Sequence, residues 1–177
     1  MVKQKITYND TVKEAIALAL FHLLKKKPLN QISISDVTKL AGVSRSSFYR
    51  NFNTKEEILS QYIQKCYKEY FKDKQKPLQT DTSFDLNYFL YHRFRFVKQY
   101  KDFFVILRKQ NLLYYLFEDL DPELSQILSG MEFESPYQKA MFTSCSAGII
   151  RQWIDNNFKE SEEEMVKIHT NMTKTKK

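Results

Sequence analysis

Only 3 glycines and 4 prolines occur in this chain of 177 residues. Sandwiches, barrels and phosphate-cradling loops need many residues that take a positive φ or a fixed one, so such scarcity argues against them. The expectation is an all-α protein. A chain this long buries a substantial core without disulfides or a structural metal. Its 42% hydrophobic and 28% charged residues match a folded domain, not a disordered one.

Apolar residues recur at helical spacing from the start. Val12, Ile16, Ala19, Leu20, Leu23 and Leu24 predict a helix over about 9–26, closed by Lys25-Lys26-Lys27 and stopped by Pro28. Ser33 is placed to cap a short second helix with Ile34, Val37 and Leu40 on its inner side, and Gly42 suits the left-handed turn that ends it. Ser44 opens a third helix through about Asn51. Thr54 and Glu57 have capping-box spacing and open a long fourth helix, 55–72. Residues 73–82 read as a linker. Further helices are expected near 83–100, 102–111, 112–119, 122–130, 136–158 and 161–173, with Ser135/Gln138 and Ser161/Glu164 spaced as capping boxes. The lysine-rich end, Lys174–Lys177, reads as a frayed tail.

Charge is distributed unevenly. Residues 1–60 carry 10 basic and 5 acidic side chains, whereas 61–177 carry 18 and 16. A positive end on a nearly neutral body suits a polyanion. Within that end, residues 33–52 have the build of a helix-turn-helix. Ala41 is small enough for a helix crossing, Gly42 makes the turn, Val43 seals it, and Phe48 and Phe52 anchor the second helix. The residues left outward are Ser44, Arg45, Ser46, Ser47, Tyr49, Arg50 and Asn51, with no carboxylate among them. Such a helix can enter the major groove. On this chemistry Arg45 grips guanine, Tyr49 and Lys55 position phosphates, and Arg50 is either solvated or phosphate-bound.

From about Val12 to Ile63 the chain resembles the DNA-binding domain of the tetracycline-repressor (TetR) family. The matching residues are Ala-Gly-Val-Ser-Arg-Ser-Ser-Phe-Tyr-Arg-Asn-Phe, 41–52, then Lys55-Glu56-Glu57-Ile58-Leu59, with Ala15, Leu20-Phe21 and Ile32-Ser33-Ile34 upstream. Two departures are Lys25–Asn30, where the family often has glycine, and Asn51, where histidine is common. The resemblance implies a homodimer on a palindromic operator in double-stranded DNA. It implies DNA contacts from Ser33, Ser35, Arg45, Ser46, Ser47, Tyr49, Asn51 and Lys55. Residues 146–158, Ser-Ala-Gly-Ile-Ile-Arg-Gln-Trp-Ile-Asp-Asn-Asn-Phe, resemble the junction before the last helix in shorter members, including those related to dihydroxyacetone-utilisation regulators.

The reading divides the chain into a DNA-binding domain, 1–54, and a regulatory and dimerisation domain, 55–177, joined by helix 55–72. Helix 136–158 has two apolar faces, Tyr137/Ala140/Met141/Ser144/Gly148 and Phe142/Cys145/Ile149/Trp153. That pattern predicts a dimer interface from Met141, Cys145, Gly148, Ile149 and Trp153, joined by Met165 and Ile168 of the last helix. Aromatic residues concentrate in the body, with 11 of 14 Phe and 9 of 11 Tyr after residue 60. Tyr62, Cys66, Phe89, His92, Phe96, Phe104 and Tyr114 are candidate walls for an unknown small-molecule effector, against the plainer reading of packed core. Arg93 and Arg95 read as a solvated face or as a hint of an anionic ligand. The rival reading is a TetR-like module whose body binds another protein.

Catalysis is not expected. The chain lacks a Gly-x-Ser-x-Gly elbow, a phosphate loop and His-Glu-x-x-His, and its histidines, His22, His92 and His169, are far apart in sequence. Asp119 and Asp121 sit where helix ends are capped. No cofactor or metal is expected. Cys66 and Cys145 read as reduced core cysteines. No leader is evident, and no run approaches the roughly 18 apolar residues of a membrane-spanning helix, so the expected location is the cytoplasm, off the membrane.

Overall fold

A computed structural model describes residues 8–72, 85–113 and 133–173. Among them are eight α-helices, one short 3-10 turn at Leu29–Gln31, and no strand. The helices are α1 (Tyr8–Leu24), α2 (Ile34–Ala41), α3 (Arg45–Tyr49), α4 (Lys55–Phe71), α5 (Leu86–Gln99), α6 (Lys101–Lys109), α7 (Pro136–Asp155) and α8 (Glu162–Thr173). The chain is all-α. The linker expected over 73–82 and the helix expected over 122–130 lie outside the described residues. So do nearly all of the helix expected over 112–119, the caps Asp119 and Asp121, and the tail Lys174–Lys177.

Helix α1 buries Val12, Ile16, Ala19, Leu20 and Leu24, as its spacing requires, and packs on α2, α4 and α6. Side-chain oxygens on Ser33, Ser44, Thr54, Asp85 and Ser135 accept from the N–H three residues on, opening α2, α3, α4, α5 and α7. Helix α8 opens with a full capping box. Its Glu164 N–H donates to Ser161 Oγ (3.2 Å), and the Ser161 N–H donates to Glu164 Oε2 (2.7 Å). Helix α3 ends at Tyr49, short of the expected Asn51. Leu40 is not an inner residue of α2; it is 49% exposed. Helix α2 ends one residue later, and Val37 and Thr38 fill its inner side.

Helix α7 stops at Asp155 instead of 158. Asn157 and Phe158 take a φ of 56°, and the Phe158 N–H closes back on the Trp153 carbonyl (2.9 Å). No helix among the described residues is long and apolar enough to cross a membrane.

One continuous apolar core runs from the first four helices into the body. At the seam, Phe21 of α1 meets Tyr62 of α4 at 4.6 Å and Phe103 of α6 at 4.8 Å, ring edge to ring face. Gln110, just past α6, donates through Nε2 to the last carbonyl of α1, Leu24 (2.8 Å). Two residues earlier, in α6's last turn, Arg108 grips Asp155 of α7 with two parallel bonds of 2.8 and 2.9 Å. Helix α6 is thereby fastened both to the first helix and to α7.

Candidate nucleic-acid interface

The helix-turn-helix is built by short-range chemistry. Ser33 and Asp36 form a reciprocal capping box at the start of α2. The Lys27 ammonium reaches Asp36 at 2.8 Å and, with the Ser33 bonds, draws its carboxyl pKa down to about 2. The turn uses Gly42 at φ 68°, and the next N–H, of Val43, returns to the Thr38 carbonyl (3.0 Å). A Cβ at Gly42 would meet nothing within 4 Å, so glycine is required there for backbone conformation and not for space. Ser44 caps α3, and its hydroxyl also lies 2.9 Å from Ser46 Oγ and 3.0 Å from Ser47 Oγ. Phe48 and Phe52 are buried and fix the inner side of α3.

That anchoring leaves Ser44, Arg45, Ser46, Tyr49 and Arg50 exposed, with Ser47 half-buried beside them. Ser33 and Ser35 are exposed at the start of α2. The exposed side of α3 thus presents hydroxyls, a phenol and two guanidiniums, with no negative charge. Hydrogen-bond donors of this kind match guanine edges and phosphates.

Two expected contacts are placed differently. Asn51 does not point outward; it is 91% buried, its Nδ2 donates to the Ser47 carbonyl (2.8 Å), and its Oδ1 has no partner. Because α3 has ended by then, Asn51 turns inward and ties off the last turn. Lys55 is half-buried, and its ammonium donates to two carbonyls, Leu29 (2.7 Å) and Ile32 (2.6 Å). It clamps the 3-10 turn ahead of Ser33.

A model of bacterial regulatory proteins of the tetR family matches residues 16–62, and a model of the transcriptional regulator C-terminal region matches residues 85–175. This chain belongs to the TetR family. It has the fold of a DNA-binding transcriptional regulator. The TetR transcriptional regulator from Streptococcus agalactiae 2603V is similar in structure, with a TM-score of 0.68 and 22% identity over 94% of this chain and 96% of that one. The dihydroxyacetone kinase operon activator DhaS is also similar, with a TM-score of 0.53 and 19% identity over 92% of this chain and 93% of that one. At these identities the likeness is one of fold. No curated protein matches the sequence.

In the body, the candidate effector walls are largely core. Phe89, Phe96 and Phe104 are at most 2% exposed, and Cys66 is buried. Phe96 packs on Tyr67, Tyr70, Tyr100 and Phe104 with ring centroids 5.0–5.9 Å apart. Tyr62 is half-buried at the seam, and burial raises its phenol pKa. His92 is half-buried and joins the Phe96 cluster through Tyr70, with Nδ1 3.1 Å from Tyr70 Oη and its ring 4.4 Å from that of Tyr88. Tyr114 lies outside the described residues. Arg95 is exposed and donates to Tyr91 Oη (2.8 Å), but Arg93 is only 7% exposed, so the face expected to be solvated is divided.

The expected dimer residues also separate. Ile149, Trp153 and Met165 are buried within their own chain; Trp153 packs edge-on against Phe94 and Phe158. Met141, Gly148 and Ile168 are exposed and Cys145 is half-buried, beside Tyr137 and Met172, which are 85% and 65% exposed. Both cysteines are free thiols. Sequence spacing missed the buried pair Ser146–His169, which joins α7 to α8. A lone histidine at 169 gave no signal of burial.

Proposed function

We propose that the protein is a homodimeric repressor whose two α3 helices read a pseudo-palindromic operator. The observation that carries this is the exposed side of α3, where Arg45, Ser46, Tyr49 and Arg50 stand with no carboxylate among them. Arg45 reads a base, Tyr49 and the exposed Ser33 and Ser35 position phosphates, and Lys55 fixes the approach to α2. Residues 1–54 act as the reading head and 55–177 as the regulatory and dimerising body. The second subunit covers the exposed Tyr137, Met141, Gly148, Ile168 and Met172 of α7 and α8, giving a four-helix contact. A small ligand in the body releases the operator by favouring a conformation that does not fit it. The protein works in the cytoplasm and catalyses no reaction.

Selection of bound duplexes from a random library, followed by footprinting, tests this. Half-sites should lie about 34–36 Å apart, or a multiple of that, on one face of the duplex. Binding of a single, non-palindromic site by one subunit would overturn the reading.

The packing of Phe89, Phe96 and Phe104 against neighbouring side chains favours a second reading, in which the body answers to another protein and not to a small molecule. A ligand that lowers operator affinity in purified protein decides for the first. Release that requires a second purified protein decides for the other.

A further inference from the structure

A cleft of about 210 Å³ opens between α1 and α4. It has room for one ring with a substituent, less than the roughly 300–1,000 Å³ of pockets for larger ligands. The buried side chains of Ala17, Phe52 and Ile58 make an apolar lining. A hydrogen-bond relay arranges the polar side. The Asn53 N–H donates to Glu57 (2.6 Å), and that bond holds the Glu57 carboxyl below its usual pKa. Gln61 Nε2 donates to the same carboxylate (2.7 Å), which turns Gln61 Oε1 toward Lys13, whose Nζ donates to it at 3.0 Å.

The two lysines of the cleft are not equivalent. Lys65 is paired with Glu14 at 3.2 Å. Lys13 is half-buried, its acceptor is a neutral amide, and the Phe52 ring centroid lies 5.8 Å away. Among the described residues no carboxylate comes within ion-pair distance of it. An ammonium held beside apolar surface is complemented by a ligand that covers the surface and supplies the anion.

We propose that this cleft binds a small aromatic carboxylate, with its ring against Ala17, Phe52 and Ile58 and its carboxylate on Lys13 Nζ. Lys65 is already matched by Glu14, which lines the cleft with it, so Lys13 alone is left to take an anion and the ligand carries one negative charge and not two. Tyr62 borders the cleft and packs on Phe21 and Phe103, so an occupant touches one of the three rings that join α1, α4 and α6. This site is distinct from the effector site proposed for the body, which shares only Tyr62 with it.

Titration of the full chain with benzoate, followed by amide NMR, tests the site. Saturable shifts are expected in residues 10–17 and 52–65, with dissociation in the millimolar range or tighter for a ligand of this size. Benzylamine and phthalate should bind roughly tenfold more weakly than benzoate. Lys13→Met, which keeps the apolar stem, should lose benzoate affinity by a similar factor. Shifts that do not saturate by about 20 mM overturn the proposal. So does benzylamine or phthalate binding as well as benzoate, or unchanged benzoate affinity in a folded Lys13→Met. Should that variant fail to fold, the three-probe comparison on the unaltered chain decides.

Discussion

Lys55 at the start of α4 donates to the Ile32 carbonyl across 2.6 Å, and the next residue, Ser33, caps α2. The same ammonium holds Leu29, so one side chain sets how the 3-10 turn delivers the chain into the helix-turn-helix. Removing it leaves two carbonyls short of a charged donor. Lys55→Ala should cost about 1–3 kcal/mol of stability in denaturant unfolding. It should weaken operator and random duplexes alike while leaving the salt dependence nearly unchanged. A slope shallower by about one unit per half-site would instead assign Lys55 to a phosphate.

Arg45 differs in kind. It stands exposed in the first turn of α3, one residue after the Ser44 cap. Arg45→Ala should leave stability unaltered and cost on the order of 1–3 kcal/mol on the operator, relaxing base preference at one symmetric pair of positions. Competition binding with singly substituted operators measures this. Equal loss on operator and scrambled duplex would make Arg45 a phosphate contact.

What was legible in the sequence was whatever a few neighbouring residues decide. The caps at Ser33, Ser44, Thr54, Ser135 and Ser161, and the left-handed Gly42, each depend on a span of about one helical turn. Even there, the third-position partner varied. Glu164 returns to its cap, but Glu57 and Gln138 bond the N–H one residue further back, of Asn53 and Glu134. Helical periodicity identified the inner face of α1, yet it misplaced Leu40, because an eight-residue helix has too few turns to define a stripe. Long side chains escaped altogether. The partners of Lys55 lie 23 and 26 residues away, and the burial of Arg93 depends on helices that local spacing does not position. The same limit divided the dimer residues, since an apolar face on α7 looks alike whether its own core or a second subunit covers it.

The exposed half of that face gives a direct test of assembly. A Cβ at Gly148 would meet nothing within 4 Å in the single chain, so Gly148→Glu leaves the fold intact while placing a charge in the proposed contact. Sedimentation should show a dimer for the unaltered protein at micromolar concentration and a monomer for Gly148→Glu, with operator affinity falling sharply. Trp153→Ala should instead unfold the chain, at about 3–5 kcal/mol, because that ring belongs to the core. A monomeric unaltered protein would remove the interface.

His169 makes stability depend on pH. It is fully buried against Phe142 and Ser146 of α7 and the Phe94 ring of α5, and the nearby Arg93 charge also acts on it. Ser146 Oγ–H donates to the Phe142 carbonyl (2.9 Å), so the Ser146 oxygen accepts from His169 Nε2–H. The proton therefore sits on Nε2, and Nδ1 is a buried lone pair without a partner. Charging the ring places a new N–H where nothing accepts it. Burial first, and the Arg93 charge second, bring the histidine down to about 4 from an ordinary value of 6.5. As pH falls through about 6.5 the unfolded chain takes up this proton first, so stability declines between pH 6.5 and 4 and is unaffected by this group above that window. The loss reaches about 3 kcal/mol at most. Asp36, held near 2, contributes its own loss only below that range. Thermal unfolding of the unaltered chain and of His169→Leu across pH 4–7 separates the group from the rest, because leucine keeps the volume and leaves Ser146 bonded to Phe142. The variant should show the flatter profile in that window; an equal slope would assign the pH dependence to other groups.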